Sequence, residues 1–368
     1  MISLKNVESF KSFLKISMQK DIMVKKYKVT IDSRNVDSSS AFIAIKGERI
    51  NAFDFVEEVI KKGVKVVVYE STTEQTLKIE QLSHNYQDVT FIGVSCGVTF
   101  LQELALDHRL QFKGSIIGIS GSNGKTTTKE MIFYILNEVF PGQVIKTQSN
   151  NNNHIGVPLT ILSIDLSRDL IAVVELGSNH PGEMRVISNI LRPDVDIVTN
   201  IGETHLEFFN GVEGVLQEEI ESAKHLSPQG VFFKNLSDEL ISQYHTDIPV
   251  ITYGSQTSDF PFDCSAHSAM INFQGQKIVI KNSQITGQHN FWNMSLAVLI
   301  AQFVSKKPIE KLTQIASSFV PTKNRSEWRR INNVDIFLDA YNANPSSMVA
   351  SLSGFFSDCR SEDKILVI

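Results

Sequence analysis

From residue 115 onward, short and almost uninterrupted apolar runs alternate with longer stretches in which apolar positions recur every three or four residues. The runs Ser115–Ser120, Ile171–Leu176, Val195–Thr199, Val231–Phe233 and Val250–Tyr253 predict strands. The stretches Lys125–Phe140, Val212–Leu226 and Asn290–Val304 predict helices. Strands that are apolar on both faces must be covered on both, so the pattern predicts an α/β domain with a mostly parallel sheet and helices on each side. Met270–Ile280 alternates with a period of two, as an antiparallel strand does, which makes the sheet mixed. Upstream, Lys28–Ile31 and Val64–Tyr69 predict strands, Phe53–Lys62 a helix between them, and Val98–Phe112 an amphipathic helix. The break at Lys113-Gly114 sets a domain boundary near residue 112, and Val320-Pro321 sets a second.

Three domains are therefore expected, over residues 1–112, 113–319 and 320–368. The last holds a strand (Val334–Leu338), a turn, a helix (Ser346–Phe356) and a strand (Lys364–Ile368). About fifty residues are too few for a separate core, so the third domain reads as truncated.

Composition narrows the class. Apolar residues make up 42% and charged residues 20%, the mix of a globular protein rather than a disordered or disulfide-stapled one. The net charge of −5 offers no basic field for nucleic acid. Cys96, Cys264 and Cys359 lie far apart with no metal spacing, which suits a reducing compartment. The N-terminal MISLKNVESFKSFLKISMQKD lacks the apolar core of a signal peptide. Asn293, Ser295 and Gln302 interrupt the greasiest run, Phe291–Val304, which is too short to span a bilayer. A cytoplasmic protein without membrane insertion is expected.

The chemistry is concentrated in Gly121-Ser122-Asn123-Gly124-Lys125-Thr126-Thr127-Thr128, between a predicted strand and a predicted helix. Glycines turn backbone N–H groups inward around phosphates, and the helix N-terminus adds partial positive charge. Lys125 neutralises β/γ-phosphate charge and the Thr126 hydroxyl suits Mg²⁺. The segment departs from the usual P-loop in one place, because the glycine expected five positions before Gly124 is Ile119. Its context predicts a site for a nucleoside triphosphate.

Glu175 ends one predicted strand and His205 follows another, the positions where open α/β sheets place their ligands. Together they suit a cation shared with phosphate; singly, each also reads as a surface acid or a hydrogen-bonded loop histidine. The run Asn150–Asn153 is a turn by composition, and its amides, Asn152 and Asn153 among them, equally suit polar substrate groups. Asp339-Ala340-Tyr341-Asn342-Ala343-Asn344-Pro345 is a strand–turn–helix connection closed by proline, with Tyr341, Asn342 and Asn344 available to a ligand.

These segments resemble the Mur ligase family. The similarity lies in SGSNGKTTT (Ser120–Thr128), NNHIGVPLT (Asn152–Thr160), ELGSNHPGE (Glu175–Glu183), NIGETHLE (Asn200–Glu207), GQHNFWN (Gly287–Asn293) and DAYNANPSSM (Asp339–Met348), in the family's order. The resemblance implies an N-terminal UDP-sugar domain, a central P-loop ATPase domain and a C-terminal Rossmann-like domain, here incomplete. Within the family, NNHIGVPLT and Asn-Ala-Asn-Pro point to the activity that adds D-Ala-D-Ala to a UDP-MurNAc-tripeptide in peptidoglycan precursor synthesis. ATP phosphorylates the tripeptide carboxylate and the dipeptide amine attacks the acyl phosphate.

Carried over residue by residue, Lys125 and Thr126 contact phosphate and Mg²⁺, and Glu175 and His205 are metal ligands. Asn290 and Asn293 lie near adenine, and Arg325 and Asp339 reach ATP from the third domain. Tyr341, Asn342 and Asn344 line the dipeptide side, and Asp32-Ser33-Arg34 belongs to the UDP-sugar site. The implied partners are thus small molecules, acting on a monomer.

The departures from the family also carry expectations. Ser38-Ser39 replaces a Pro-Gly, and Asn51-Ala52-Phe53 replaces an Asp-Gly-His, both in the UDP-sugar region. A gap-free match puts Glu219 where relatives carbamylate a lysine to bridge a second Mg²⁺, while Lys224 aligns there only with a shift. A Mur-type ligase with another carboxylate and amine, or a non-catalytic nucleotide-binding paralogue, are the rival expectations. With its third domain truncated, the chain is expected to bind Mg²⁺–ATP but ligate poorly.

Overall fold

The computed structural model describes residues 27–358. The segment 1–21, Cys359 and the expected strand Lys364–Ile368 lie outside the described residues. Those described fall into two compact units. One holds the chain up to Lys113 together with His154–Leu166; the other holds Gly114–Asn153 and the chain from Ser167 on.

The first unit is a four-stranded parallel sheet in sequence order: β1 (Lys28–Thr30), β2 (Ser40–Ile43), β3 (Val66–Glu70) and β4 (Thr90–Val94). Its helices are α1 (Val56–Lys61), α2 (Thr73–Asn85) and α3 (Gly97–Gln111). The expected helix from Phe53 begins instead as a 3₁₀ turn, Ala52–Phe55, because the Asn51 side chain accepts the Phe53 N–H and caps it. The replaced Asn51-Ala52-Phe53 segment is thus a helix start. At the other departure, Asp37 accepts both the N–H and the hydroxyl of Ser39 at 2.8 and 2.6 Å, tying the Ser38-Ser39 turn. The helix Gly156–Leu162 packs in this unit, with Ile155, Leu159 and Leu162 against a cluster holding Phe100, Leu101 and Leu104 of α3. A boundary drawn once along the chain does not express that excursion.

The second unit begins with β5 (Ser115–Ser120), α4 (Lys125–Val139), β6 (Val144–Lys146) and β7 (Ile171–Glu175). It continues through α5 (Glu183–Leu191), β8 (Val195–Val198), α6 (Val212–Glu219), β9 (Val231–Asn235), β10 (Val250–Gly254) and β11 (Phe260–Cys264). The sheet is completed by β12 (Ser268–Phe273) and β13 (Gln276–Lys281). Its order is β13-β12-β11-β10-β9-β8-β5-β7-β6, parallel from β6 to β11 and antiparallel beyond. The stretch expected as one strand over Met270–Ile280 is therefore a hairpin. Gln274 and Gly275 both take positive φ, as a two-residue hairpin turn requires, and with Phe273 opposite Gln276 the buried positions switch from odd numbers in β12 to even numbers in β13.

Long helix α7 (Gln288–Ser305) and α8 (Ile309–Ala316) complete the main core, in which Phe291, Met294 and Val298 meet Ile132 and Ile135 of α4. The hairpin β14 (Glu327–Ile331) and β15 (Val334–Leu338) and helix α9 (Pro345–Asp358) follow. The single helix expected over Val212–Leu226 ends at Glu219 and tightens into a 3₁₀ segment, Ile220–His225. Among the described residues, no helix is long and apolar enough to cross a membrane.

Candidate active site

The order of the second sheet creates the site. Chain progress from β5 runs outward to β6 and β7 on one side and to β8 and β9 on the other, so the strand order reverses at β5. A crevice opens at the carboxyl ends of strands at such a switch point, and ligands of open α/β sheets bind there. The Gly121–Thr128 loop leaves β5 at this end. Parallel pairing of Ile119 with Glu175 and of Ser120 with Val198 brings the ends of β7 and β8 alongside it.

The loop is held by its neighbours. Gly121 has φ of 116°, and a Cβ there would meet the Thr199 backbone N at 2.8 Å, so only glycine fits. Gly124, with φ of 80°, starts α4 and lies against the buried Asn293 side chain, whose Oδ1 would be 3.1 Å from an added Cβ. The Asn200 side chain accepts the Asn123 N–H at 3.0 Å and donates to the Asn123 carbonyl at 3.0 Å. The Thr199 hydroxyl donates to the same carbonyl at 2.6 Å. Asn344 and Ser346 reach the Asn123 side chain at 2.7 and 2.9 Å, so the DAYNANPSSM segment meets the loop at its tip. Lys125 turns its ammonium back onto the carbonyls of Gly121 and Ser122.

On the β7 side, Glu175 is buried, and its Oε1 accepts the Thr126 hydroxyl at 3.1 Å and the Asn152 amide at 3.0 Å. Asn152 lies close against Gly177, whose N–H donates to its carbonyl at 2.8 Å and whose missing side chain leaves room for its amide. Asn153 is half-buried beside it. Lys129, 1% exposed, stands 3.4 Å from Glu175 Oε2.

Behind the loop, Glu219 is buried, and its Oε2 accepts the Gly121 N–H at 2.8 Å. Burial pushes its carboxyl above the ordinary range, while the Lys125 charge and the Gly121 N–H oppose the rise. Lys224 is on the outer surface, paired with Glu221 at 2.7 Å. Of the two candidates for the bridging position, the fold thus brings only Glu219 to the loop. The helix changes to 3₁₀ between them, and five residues carry Lys224 to another face.

The other expected residues are distributed unevenly. His205 sits exposed in a left-handed turn with φ of 51°. Among the described residues, no three His, Cys, Asp or Glu side chains converge as a metal cluster. Asn290 is buried and donates to the carbonyl of Thr286, just ahead of the start of α7, at 2.8 Å. Asp339 accepts the Ser326 hydroxyl at 3.3 Å, and the His289 ring lies 3.4 Å from that hydroxyl. Arg325 lies 4.0 Å over the ring of Tyr341. The Asn342 side chain accepts the N–H of Ala343 at 3.0 Å.

In the first unit, Arg34 grips Asp32 at 2.8 and 2.9 Å, and hydrogen bonds from Arg34 hold the Asp32 carboxyl down at about 2. The carbonyl of Ser33 accepts from Lys62 at 2.9 Å. Sequence reasoning missed Lys129, Thr199 and the Asn200 side chain. The signal for the last two was their place directly after β8.

A glycine-rich loop between a parallel strand and a helix, at the switch point of an open α/β sheet, defines a P-loop nucleotide-binding protein. The Mur ligase middle domain matches residues 119–301, and the Mur ligase family catalytic domain matches residues 26–109. The chain is 30% identical over 330 residues to the UDP-N-acetylmuramoyl-tripeptide–D-alanyl-D-alanine ligase of Bacillus subtilis, covering 88% of this chain and 69% of that one. It is likewise 30% identical to the protein of the same name from Buchnera aphidicola, covering 89% and 70%. The crystal structure of MurF from Acinetobacter baumannii superposes with a TM-score of 0.78 at 27% identity, over 90% of this chain and 74% of that one. This chain belongs to the Mur ligase family.

Proposed function

We propose that the protein is an ATP-dependent ligase of peptidoglycan precursor synthesis. It joins the amine of D-Ala-D-Ala to the terminal carboxylate of a UDP-MurNAc-tripeptide in the cytoplasm. The observation that carries this reading is the Gly121–Thr128 loop at the β5 switch point, flanked by Glu175 and Asn200, in a chain whose 30%-identical relatives bear that name. The residues of the first unit, with Asp32, Ser33 and Arg34, take the UDP-sugar. Tyr341, Asn342 and Asn344 take the dipeptide side.

A carboxylate does not expel oxide or hydroxide to an amine, so it must first acquire a phosphate leaving group. The protein's task is then largely positioning and charge neutralisation. Backbone N–H groups of the loop and the N-terminus of α4 receive the phosphates, with Lys125 released from its carbonyl partners to face them. Thr126 and Glu175 fit Mg²⁺: the Thr126 hydroxyl and Glu175 Oε1 present hard oxygens side by side, 3.1 Å apart. When bound, Mg²⁺ supplies neutralisation of phosphate charge. Asn152 fixes the orientation of the Glu175 carboxylate, and Glu219 holds the first turn of the loop.

The test is ATP-dependent phosphate release with a UDP-MurNAc-tripeptide, with and without D-Ala-D-Ala, followed by the product mass. Dipeptide-dependent release with the pentapeptide mass is the expected result. ATP binding without release by a version extended to the full length of its relatives, or release driven by another amine, would overturn the assignment.

A further inference from the structure

Lys129 lies on α4 one turn after Lys125, and its ammonium is enclosed rather than directed at solvent. It donates to the Thr147 carbonyl at 3.1 Å and lies 3.4 Å from Glu175 Oε2 and 3.2 Å from Glu130 Oε1. Glu130 in turn pairs with Lys146, whose ammonium is 4.3 Å from the ring centroid of Phe133. The four side chains form a row of alternating charge that ends at Glu175. An ion pair this buried is costly to desolvate, and replacing it with packed apolar groups is often neutral or stabilising. Its position relative to Glu175 offers a reason for it beyond stability.

The two oxygens of Glu175 are treated differently. Oε1 faces Thr126 and Asn152. Oε2 faces Lys129 and accepts no hydrogen bond. We propose that Lys129 is a positioning residue that makes Glu175 a one-oxygen ligand and so selects a small divalent cation over a larger one. Mg²⁺ demands near-octahedral geometry and is satisfied by single carboxylate oxygens, phosphates and water. Ca²⁺ takes six to eight oxygens and commonly uses both oxygens of a carboxylate. With an ammonium against Oε2 and the Thr147 carbonyl fixing that ammonium, the carboxylate cannot swing to offer both. The inference rests on the reading of Glu175 as the cation-facing carboxylate, and the experiment separates the two.

The experiment measures the affinity of the full chain for a fluorescent ATP analogue in Mg²⁺, in Ca²⁺ and without divalent cation. The variants are Lys129→Met and Lys129→Gln, the second able to keep a donor toward the Thr147 carbonyl. The wild-type protein is expected to bind the nucleotide at least about tenfold more tightly with Mg²⁺ than with Ca²⁺. Both variants should narrow that ratio by about tenfold, the usual effect of losing a partner behind a metal ligand. A merely structural lysine would weaken binding equally with both cations. Folded variants that keep the wild-type ratio, or a wild-type protein with no preference between the cations, would overturn the proposal. Nucleotide binding indifferent to any divalent cation would instead remove the reading of Glu175 on which it rests.

Discussion

Asp196→Asn should leave the second unit nearly unchanged below about pH 4 and stabilise it progressively as pH rises, fully above about pH 7. Asp196 is fully buried on β8, next to the strand that carries the phosphate loop. One of its oxygens accepts the Ser222 hydroxyl at 2.9 Å, and the other has no partner. Burial raises its carboxyl from 3.8 to about 7; the Ser222 hydrogen bond opposes that rise and the nearby charge of Glu219 adds to it. The folded state therefore binds a proton that the unfolded state has lost between those values. Stability contributed by the neutral acid is complete below about pH 4 and is lost as pH rises through about 7. A displacement of about three units corresponds to about 4 kcal/mol at 1.36 kcal/mol per unit.

Asparagine has the shape of the neutral acid and does not ionise. The chain's two tryptophans, Trp292 and Trp328, both lie in the second unit, so their fluorescence follows its unfolding in urea. At about pH 4 the two proteins should unfold nearly together, at about pH 5 the variant should already be ahead by about 1–2 kcal/mol, and at about pH 8.5 it should be the more stable by up to about 4 kcal/mol. Parallel stability curves across that range would refute the reasoning.

Lys125→Ala should abolish nucleotide-dependent phosphate release while the melting temperature stays within a few degrees, checked by phosphate assay and calorimetry. Gly121→Ala sets a Cβ against the Thr199 backbone at a φ of 116°, and should weaken binding of a fluorescent nucleotide by more than about tenfold. Glu219→Ala leaves the Gly121 N–H without its buried acceptor, and should lower both the melting temperature and nucleotide affinity. Lys224→Ala removes one surface ion pair and should change stability by about 0–1 kcal/mol and affinity by less than twofold. Equal effects from these last two substitutions would contradict the placement of Glu219 under the loop and of Lys224 at the surface.

Legibility in the sequence followed the range of the interactions. The strand Ser115–Ser120, the loop after it and the helix from Lys125 were readable, because an apolar run, two glycines and a helix start are local features. The hairpin at Gln274-Gly275 was overlooked, since each arm alternates with a period of two and only the switch of buried positions from odd in β12 to even in β13 marks the turn. The tightening after Glu219 was hidden too, because a 3₁₀ segment presents much the same spacing of apolar residues as an α-helix. Lys129 reads on paper as one more polar residue in a helix. Only the approach of β7 and of the Thr147 segment makes it an internal cation.

By itself, the sequence determined the class of the second unit and the chemistry of its loop, through hydrophobic periodicity and the conformations open only to glycine. It also supplied the motif order that marks the family. The tertiary structure decided which carboxylates matter. Sheet register sets Glu175 beside Thr126, and the return of α6 brings Glu219 under Gly121, 98 positions away in the chain. It also decided that Lys224 belongs to the surface and that Gly156–Leu162 leaves its sequence neighbours to pack with α3. Each of these depends on contacts between segments far apart in the chain, where burial and pairing energies are settled together and no local pattern records the outcome.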